Sequence, residues 1–236
     1  MALPFFYIES FDASQQLLTL NEETSKHIVQ VLRMKEDEQL NLTDGKRNLL
    51  TVSIVDAHKK HCSVRVQETS YKPLAARKTT IAVSLVKNAS RFEWFLEKAT
   101  EIGVTEIIPL LCERTERQHF RYDRMKGILV SAMLQSQQTW LPVLHVPMKF
   151  ENLKMMQFED SLKLIGHCEE TEKNPFSSYQ IEKFKSSVIL IGPEGDFTTT
   201  EINTAIAEGY KPVMLGETRL RTETAAIVAA TLLKIR

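Results

Sequence analysis

The stretch IGPEGDF, Ile191–Phe197, decides how the second half of this chain folds. The stretch overlaps the end of SVILIG, an apolar run of strand-forming residues, and turns that run abruptly into a tight turn. A second apolar run, PVMLG, stops at Gly216 and leads into ETRLRTETAA. Ligands of open parallel sheets bind outside the carboxyl ends of the strands, so two glycine-ended strands followed by polar loops predict a binding site there.

Composition indicates a soluble globular protein. The chain has 236 residues, 43% of them hydrophobic and 25% charged, with no net charge. No apolar run approaches the roughly 18 residues that span a bilayer, and the start MALPFFYIES lacks the features of a signal peptide. Cys62, Cys112 and Cys168 stand far apart without a CxxC pair, so we expect neither a metal site nor a disulfide framework. The expected setting is the reducing cytoplasm, with no membrane partner.

The chain divides into a β-rich part, residues 1–72, and an α/β part, residues 73–236. In the first part, EQLNLTD, LLTVSIV and CSVRVQE read as strands, and Asp44-Gly45 predicts a hairpin. They indicate a small β-barrel, although HIVQVLR from His27 is ambiguous between helix and strand. The polar stretch SYKPLAARK predicts the linker.

From Thr79 onward, apolar strands alternate with helices, which predicts a parallel sheet covered by helices. Capping-box spacing predicts helix starts at Ser90 and Thr198, and Gly103 predicts a helix end. The last helix, from about Thr222, is apolar almost all round. We therefore expect part of its surface to form a subunit interface.

The two loops allow a functional and a structural interpretation. Gly192 and Gly195 permit close approach of a ligand and unusual backbone conformations, and the turn fixes the direction of Glu194. The alternative is an ordinary strand-to-helix turn. Thr222 or Thr224 can cap the last helix, whose N-terminus attracts anions, while Arg221 beside so apolar a helix needs a partner. Neither GxGxxG nor GxxxxGK[ST] is present, so dinucleotide and P-loop sites lack their motifs.

The paired motifs LIGPEGDFTTTEI and LGETRLRTETAA resemble the RsmE family of RNA methyltransferases in the SPOUT superfamily. The resemblance extends to SKHIVQVLRMKEDEQLNLTDGK, similar to the family's N-terminal PUA-like barrel, and to LVKNASRFEWFLEKATEIGVTEIIPLLCERT and SAMLQSQQTWLP. It implies a SPOUT-type trefoil-knotted parallel-sheet domain, a rare exception to unknotted topology. It also implies a homodimer that uses S-adenosylmethionine (SAM) to methylate N3 of a uridine in small-subunit ribosomal RNA, as free RNA or in the assembled subunit.

Carried across residue by residue, the resemblance implies a cofactor site at His167, Ile191, Gly192, Pro193, Gly195, Leu215, Gly216, Leu220, Thr222, Thr224 and Ala225. Uridine N3 must lose a proton, so a cation or a base would assist. Arg221 is the candidate cation, and Glu194 the candidate base or orienting acceptor.

RNA contact is predicted for the segment ERTERQHFRYDRMK, which mixes arginines with aromatic residues. The candidates are Arg114, Arg117, Arg121 and Arg124, with Lys26, Arg33, Lys46 and Arg47 from the N-terminal part. The alternative is a solvated charged surface.

The chain departs from the family pattern in two places. Asp196 stands where Gly is frequent, and Leu134-Gln135-Ser136-Gln137-Gln138 stands where Glu-Gln-Ser-Gly-Arg is frequent. The loss of Arg at position 138 puts a substrate role there in doubt. Three other functions stay open: a SPOUT methyltransferase acting on another RNA such as tRNA, a non-catalytic RNA-binding assembly factor, and an unrelated nucleotide-binding α/β protein.

Overall fold

The computed structural model of the chain describes residues 3–73, 77–116, 118–170 and 172–235. The chain folds as two compact units. The first unit comprises Met1–Leu74 and Met133–Leu141, and the second comprises Ala75–Ala132 and Pro142–Arg236. The segment Met133–Leu141 therefore packs with the N-terminal part although it comes from the middle of the chain.

A five-stranded sheet forms the first unit, in the order β1-β3-β4-β5-β2. The strands are β1 (Phe5–Tyr7), β2 (Leu17–Thr19), β3 (Gln39–Thr43), β4 (Asn48–Asp56) and β5 (Ser63–Tyr71). Neighbours are antiparallel except β1 and β3, which are parallel. The predicted hairpin is confirmed: Gly45 between β3 and β4 has φ +68°, and the Asp44 carboxylate accepts a hydrogen bond from the Lys46 amide at 2.8 Å.

The first five residues of the ambiguous segment HIVQVLR, His27–Val31, are helical. Helix α1 (Glu22–Lys26) begins at Asn21, whose side chain accepts a hydrogen bond from the Thr24 amide, and continues into a π-helical turn over His27–Val31. Ile28 is fully buried in the core of the first unit, among the inward-facing side chains of β3, β4 and β5. Packing against the sheet thus decides the conformation that local propensity leaves open.

An eight-stranded sheet forms the second unit, in the order β11-β13-β10-β12-β6-β7-β8, with β9 also paired to β7. Its strands are β6 (Lys78–Ser84), β7 (Glu106–Leu111), β8 (Val143–Leu144), β9 (Met148–Lys149), β10 (Ser161–Gly166), β11 (Asn174–Pro175), β12 (Ser186–Ile191) and β13 (Lys211–Met214). All of these pairings are parallel. The helices of the α/β part are α2 (Ala89–Ile102), α3 (Tyr122–Gln135), α4 (Thr199–Ala207) and α5 (Thr222–Ile235). The predicted α/β class with a parallel sheet is confirmed, whereas the short β8, β9 and β11 escaped sequence analysis.

The helix boundaries show one wrong prediction. Helix α2 begins at Asn88, whose side chain accepts from the Ser90 amide, so the capping box predicted at Ser90 is wrong. The capping box at Thr198 is confirmed, with reciprocal hydrogen bonds to Glu201. Gly103 ends α2 with φ +88°, as predicted. Asn88 can take the capping role because Asn is as favourable as Ser at a helix N-cap, and its side-chain oxygen reaches a free amide of the first turn.

Helix α5 packs through small residues on α2, β6 and β12. Ala226, Ala229 and Ala230 are fully buried, which lets the backbone of α5 approach its neighbours closely. Across the part of the chain that the structure describes, no helix has the length and apolar character needed to cross a membrane.

Candidate active site

A cavity of about 640 Å³ opens at the carboxyl ends of three neighbouring parallel strands, β13, β10 and β12. This volume lies within the range of about 300–1,000 Å³ that small-molecule sites occupy. Of the predicted cofactor and catalytic residues, eleven line it: His167, Ile191, Gly192, Pro193, Glu194, Leu215, Gly216, Leu220, Arg221, Thr222 and Ala225. Gly195 and Thr224, which the structure also describes, lie outside this lining. The two loops chosen from the sequence therefore form two walls of one cavity, and the end of β10 forms a third.

The loop after β12 needs glycine for space rather than for backbone freedom. A Cβ atom on Gly192 would lie 3.0 Å from the Phe197 amide nitrogen and 3.1 Å from its ring. Neither Gly192 nor Gly195 has positive φ, so neither uses the unusual backbone conformations that glycine permits. The residue with positive φ is Asp196, at +66°. Asp tolerates this region better than most residues, which explains how a residue other than Gly can stand here.

The Asp196 carboxylate holds the loop in shape. One oxygen accepts a hydrogen bond from the Phe197 amide at 2.8 Å, and the other accepts from the Cys168 amide at 2.7 Å. The second bond joins the loop after β12 to the loop after β10, across the cavity floor. Sequence analysis missed this role, because nothing in the sequence pairs Asp196 with a residue 28 positions earlier.

Glu194 joins the same loop to another neighbour. Its carboxylate accepts a hydrogen bond from the Lys87 amide, in the loop after β6, at 2.9 Å. The side chain is exposed and lines the cavity. A carboxylate that already accepts an amide hydrogen bond is oriented, as expected from the turn, and this contact favours an orienting role over that of a base.

Arg114 is a clamp on the backbone of this loop. Its guanidinium donates to the Gly195 carbonyl at 2.8 Å and to the Phe197 carbonyl at 3.4 Å. A Cβ on Gly195 would lie 3.4 Å from the Arg114 side chain, so the two residues are in close contact. The structure therefore engages Arg114 within the site, although the sequence predicted it as an RNA contact.

The N-terminus of α5 is fixed to the other wall. The Thr222 hydroxyl donates to the Gly192 carbonyl at 2.9 Å, in a buried position. The Thr222 hydroxyl therefore bonds to the loop after β12, and the structure shows this bond instead of the predicted helix cap. Arg221 is exposed and lines the cavity, so its charge is open to solvent or to a bound molecule.

His167 lines the cavity and carries buried polar atoms. The side chain is 8% exposed, and both ring nitrogens lack a hydrogen-bond partner among the described residues. Burial lowers the pKa of His167, Lys173 acts in the same direction, and Asp196 and Glu169 oppose them in part. The ring is therefore neutral at pH 7, with one donor and one acceptor for a bound molecule. Because buried polar groups are normally satisfied, an unpartnered imidazole is itself a sign of a ligand site.

The other predicted RNA contacts differ in their surroundings. Arg124 makes a two-point ion pair with Glu93, at 2.5 and 2.8 Å, and Lys26 pairs with Glu22 at 2.8 Å. Arg33 and Arg121 are exposed. Arg117 lies outside the described residues. Among the described residues, no group of three or more His, Cys, Asp or Glu side chains is arranged to hold a metal ion.

Comparison with known proteins agrees with this architecture. The family model described as "RNA methyltransferase domain" matches residues 73–234, and the one described as "RNA methyltransferase PUA domain" matches residues 20–67. A Synechocystis protein named "Ribosomal RNA small subunit methyltransferase E" is 30% identical, over 90% of this chain and 71% of its own.

Two solved structures share the whole fold. The "probable rRNA-methyltransferase" of Porphyromonas gingivalis is 35% identical with a TM-score of 0.90, over 99% of both chains. The ribosomal RNA small subunit methyltransferase E of Neisseria gonorrhoeae, solved with bound S-adenosyl methionine, is 26% identical with a TM-score of 0.87, over 99% of this chain and 97% of its own.

The family matches identify the chain as an RNA methyltransferase. Its parallel-sheet domain, with a cavity at the strand ends, agrees with this class. Within that class, the chain belongs to the ribosomal RNA small subunit methyltransferase E family. The resemblance drawn from the two glycine-ended motifs is thereby confirmed.

Proposed function

We propose that this protein transfers a methyl group from SAM to N3 of a uridine in 16S ribosomal RNA of the small subunit. One observation carries the proposal: the cavity at the ends of β13, β10 and β12 contains the buried, unpartnered His167 in a member of an RNA methyltransferase family. The related N. gonorrhoeae enzyme binds S-adenosyl methionine. Volume, polarity and position of the cavity fit such a donor.

The residues around the cavity would hold the donor rather than react with it. When bound, SAM supplies a methyl group on a sulfonium, which is already a strong electrophile. The backbone of the segments 191–195 and 215–220 offers amide and carbonyl groups for an adenine edge, and Gly216 leaves open space for close approach, since no atom lies within 4 Å of its Cβ position. His167 would satisfy its ring nitrogens on the donor. Rate acceleration then comes mainly from holding the acceptor in line with the methyl carbon.

The acceptor nitrogen must lose its proton before or during attack. Arg221, exposed at the cavity, is the cation that would stabilise the negative charge on the uracil ring. Glu194 would orient the substrate or the loop, because one of its oxygens already accepts from the Lys87 amide. Both roles concern residues that line the same cavity, so one bound uridine can reach them.

The two parts of the chain would divide the work. We assign RNA binding to residues 1–72 as a PUA-like barrel, and methyl transfer to residues 73–236 with the C-terminal knot. Lys26, Arg33 and Arg121 remain candidates for phosphate contact, because they are exposed or only surface-paired. We expect the protein in the cytoplasm, since its substrate is ribosomal RNA.

We also propose a homodimer. Helix α5 is half-buried at Ile227, Val228 and Leu232 in the single chain, so apolar side chains remain partly uncovered beside its buried alanines. Covering them in a partner would complete the burial that so apolar a helix requires. Sedimentation equilibrium of the purified protein would measure the molecular mass, and a monomer at micromolar concentration would exclude this assembly.

The test is methylation of small ribosomal subunits from a strain that lacks this gene. Purified protein and labelled SAM are incubated with the subunits, the RNA is digested, and the labelled nucleoside is identified. Label in 3-methyluridine supports donor, substrate and base together. Label in another nucleoside refutes the N3 assignment, and label only on naked rRNA or tRNA transfers the function to that RNA.

Variants assign the roles within that assay. Arg221→Ala should lower kcat by about 10²-fold or more, the usual effect of removing a group that stabilises transition-state charge. Arg219→Ala, which removes the same charge from the same cavity lining, should have a clearly smaller effect on kcat. Equal losses would mean that Arg221 contributes only to the electrostatic field. SAM binding without any methyl transfer would favour a non-catalytic assembly factor.

A further inference from the structure

A cluster of aromatic and basic side chains stands on the first unit. We call Arg47, Tyr71 and Trp140 the stacking cluster, and Lys46 and Lys72 its flanking lysines. Trp140 comes from the segment 133–141 that packs into this unit. An isolated bridge between Lys46 and Trp140 joins that segment to the β3–β4 hairpin.

The guanidinium of Arg47 is held between two rings. Its central carbon lies 4.9 Å from the Trp140 ring centroid and 5.8 Å from the Tyr71 ring centroid, both within cation–π range. One of its nitrogens also donates to the Tyr71 hydroxyl at 2.9 Å. The side chain is therefore fixed in direction and does not move freely in solvent.

The backbone of Arg47 is held as firmly as its side chain. Arg47 has φ +79°, a region that long side chains rarely adopt. Its amide donates to the Thr139 carbonyl at 2.7 Å, and its carbonyl accepts from the Lys72 amide at 2.9 Å. Two chain segments thus maintain an unfavourable conformation that brings Arg47 to the rings.

The cluster has an exposed aromatic ring, and exposed lysines stand next to its residues in the chain. Tyr71 is 60% exposed, although it is a large aromatic residue. Lys72 follows Tyr71 in sequence, Lys46 precedes Arg47, and both lysines are exposed. The nearest acid in sequence, Asp44, is 4% exposed and accepts hydrogen bonds inside the hairpin from Lys46 and Asn48. Its charge is therefore engaged internally, while the cations remain at the surface.

We infer that the stacking cluster binds a single-stranded segment of the RNA substrate, with a base stacked on the exposed ring of Tyr71 and phosphates on the flanking lysines. Exposed aromatic rings and arginine planes are the surfaces on which unpaired bases stack, and lysines track the backbone. A folded duplex does not expose base faces, so the partner is an unpaired loop or strand. This inference rests on the proposed function for its RNA partner and adds the place of contact.

The experiment measures RNA binding separately from methylation. Fluorescence anisotropy of the full chain with a labelled single-stranded oligoribonucleotide gives Kd. Tyr71→Leu, which removes the ring, should raise Kd by at least about 5-fold, the lower end of the stacking effect per base. Tyr71→Phe keeps the ring and removes only the hydroxyl bonded to Arg47, so its Kd should stay within about 2-fold of wild type.

The flanking lysines have their own readout. Lys46→Gln with Lys72→Gln should lessen the salt dependence of binding by about 0.7 in the slope of log K against log salt for each lost phosphate contact. Lys35→Gln, which removes an exposed lysine elsewhere on the same unit, should leave the slope unchanged. This pair keeps the inference testable if Tyr71→Leu fails to fold.

The outcomes are distinct from those of the proposed function. If Tyr71→Leu folds and binds the oligoribonucleotide as tightly as wild type, the cluster is only a structural staple and the inference is overturned. With ribosomal subunits, the variants should raise KM for RNA and leave kcat and the Kd for SAM unchanged. If wild type does not methylate RNA, the proposed function is refuted. The anisotropy measurement still decides whether the stacking cluster binds RNA.

Discussion

A matched pair of glycine substitutions separates packing from ligand binding in the cavity. In Gly192→Ala, the new methyl group would lie 3.0 Å from the Phe197 amide nitrogen and 3.1 and 3.2 Å from two of its ring carbons. Phe197 is fully buried and contacts Phe150, with ring centroids 5.5 Å apart, so it has no space to retreat. Overpacking of this kind costs about 1–3 kcal/mol in the free energy of unfolding.

Gly216→Ala is the control. No atom lies within 4 Å of its Cβ position, and its φ is not positive, so the methyl group meets open space. We expect its stability to stay constant or to rise by up to about 1 kcal/mol, because Ala restricts the unfolded chain. Since Gly216 lines the cavity, the same methyl group should raise the Kd for SAM.

Calorimetric melting and SAM titration check both expectations. In a chain of this length, each kcal/mol lost lowers Tm by roughly 2–4 °C. Gly192→Ala, which should lose about 1–3 kcal/mol, should therefore melt measurably below wild type. Gly216→Ala should melt with wild type but bind SAM more weakly. If Gly192→Ala melts at the wild-type temperature, Phe197 is free to move and the packing explanation for this glycine fails. If Gly216→Ala binds SAM as wild type does, the segment after β13 does not contact the donor.

Three further predictions follow from the contacts around the cavity and the sheet. Thr222→Val should lower the free energy of unfolding by about 1–3 kcal/mol in urea titration, because the buried Gly192 carbonyl loses its partner; Thr222→Ser should restore it. Arg114→Met should raise the Kd for SAM with little change in Tm, since the clamp on the loop is lost; calorimetric titration giving an unchanged Kd would contradict this. Burial by itself would raise the pKa of Glu106, but hydrogen bonds from Lys78 and two neighbouring side chains outweigh it, and the pKa lies below the ordinary 4.5. The stability from Glu106 is therefore present above pH 4.5 and lost as pH falls through the lowered pKa, so wild type should lose more stability than Glu106→Gln between neutral and acid pH in urea titrations.

Much of the candidate site was visible in the sequence because its parts are local. SVILIG and PVMLG are apolar runs that end at glycines, and parallel strands deliver such ends to one edge of a sheet whatever their order. Eleven predicted residues consequently line one cavity. A prediction was wrong where two nearby residues could play the same part, since Asn88 and not Ser90 begins α2.

The contacts that hold the site were not visible, because they join residues far apart in the chain. Arg114 reaches Gly195, Asp196 reaches Cys168, and Glu194 reaches Lys87, each through loops that meet only after the sheet has formed. The sequence shows a charged residue in a polar segment but not its partner, so it could not predict that Arg114 donates to the Gly195 carbonyl.

The sequence alone determined the periodicity of strands and helices, the glycine-ended loops and the family to which they belong, since these depend on side-chain pattern and short-range geometry. Only the tertiary structure decided that His27–Val31 is helical, that Trp140 packs beside Arg47, and that both His167 ring nitrogens are buried without a partner among the described residues. Each of those depends on burial against distant segments, and burial is a property of the whole fold rather than of the local chain.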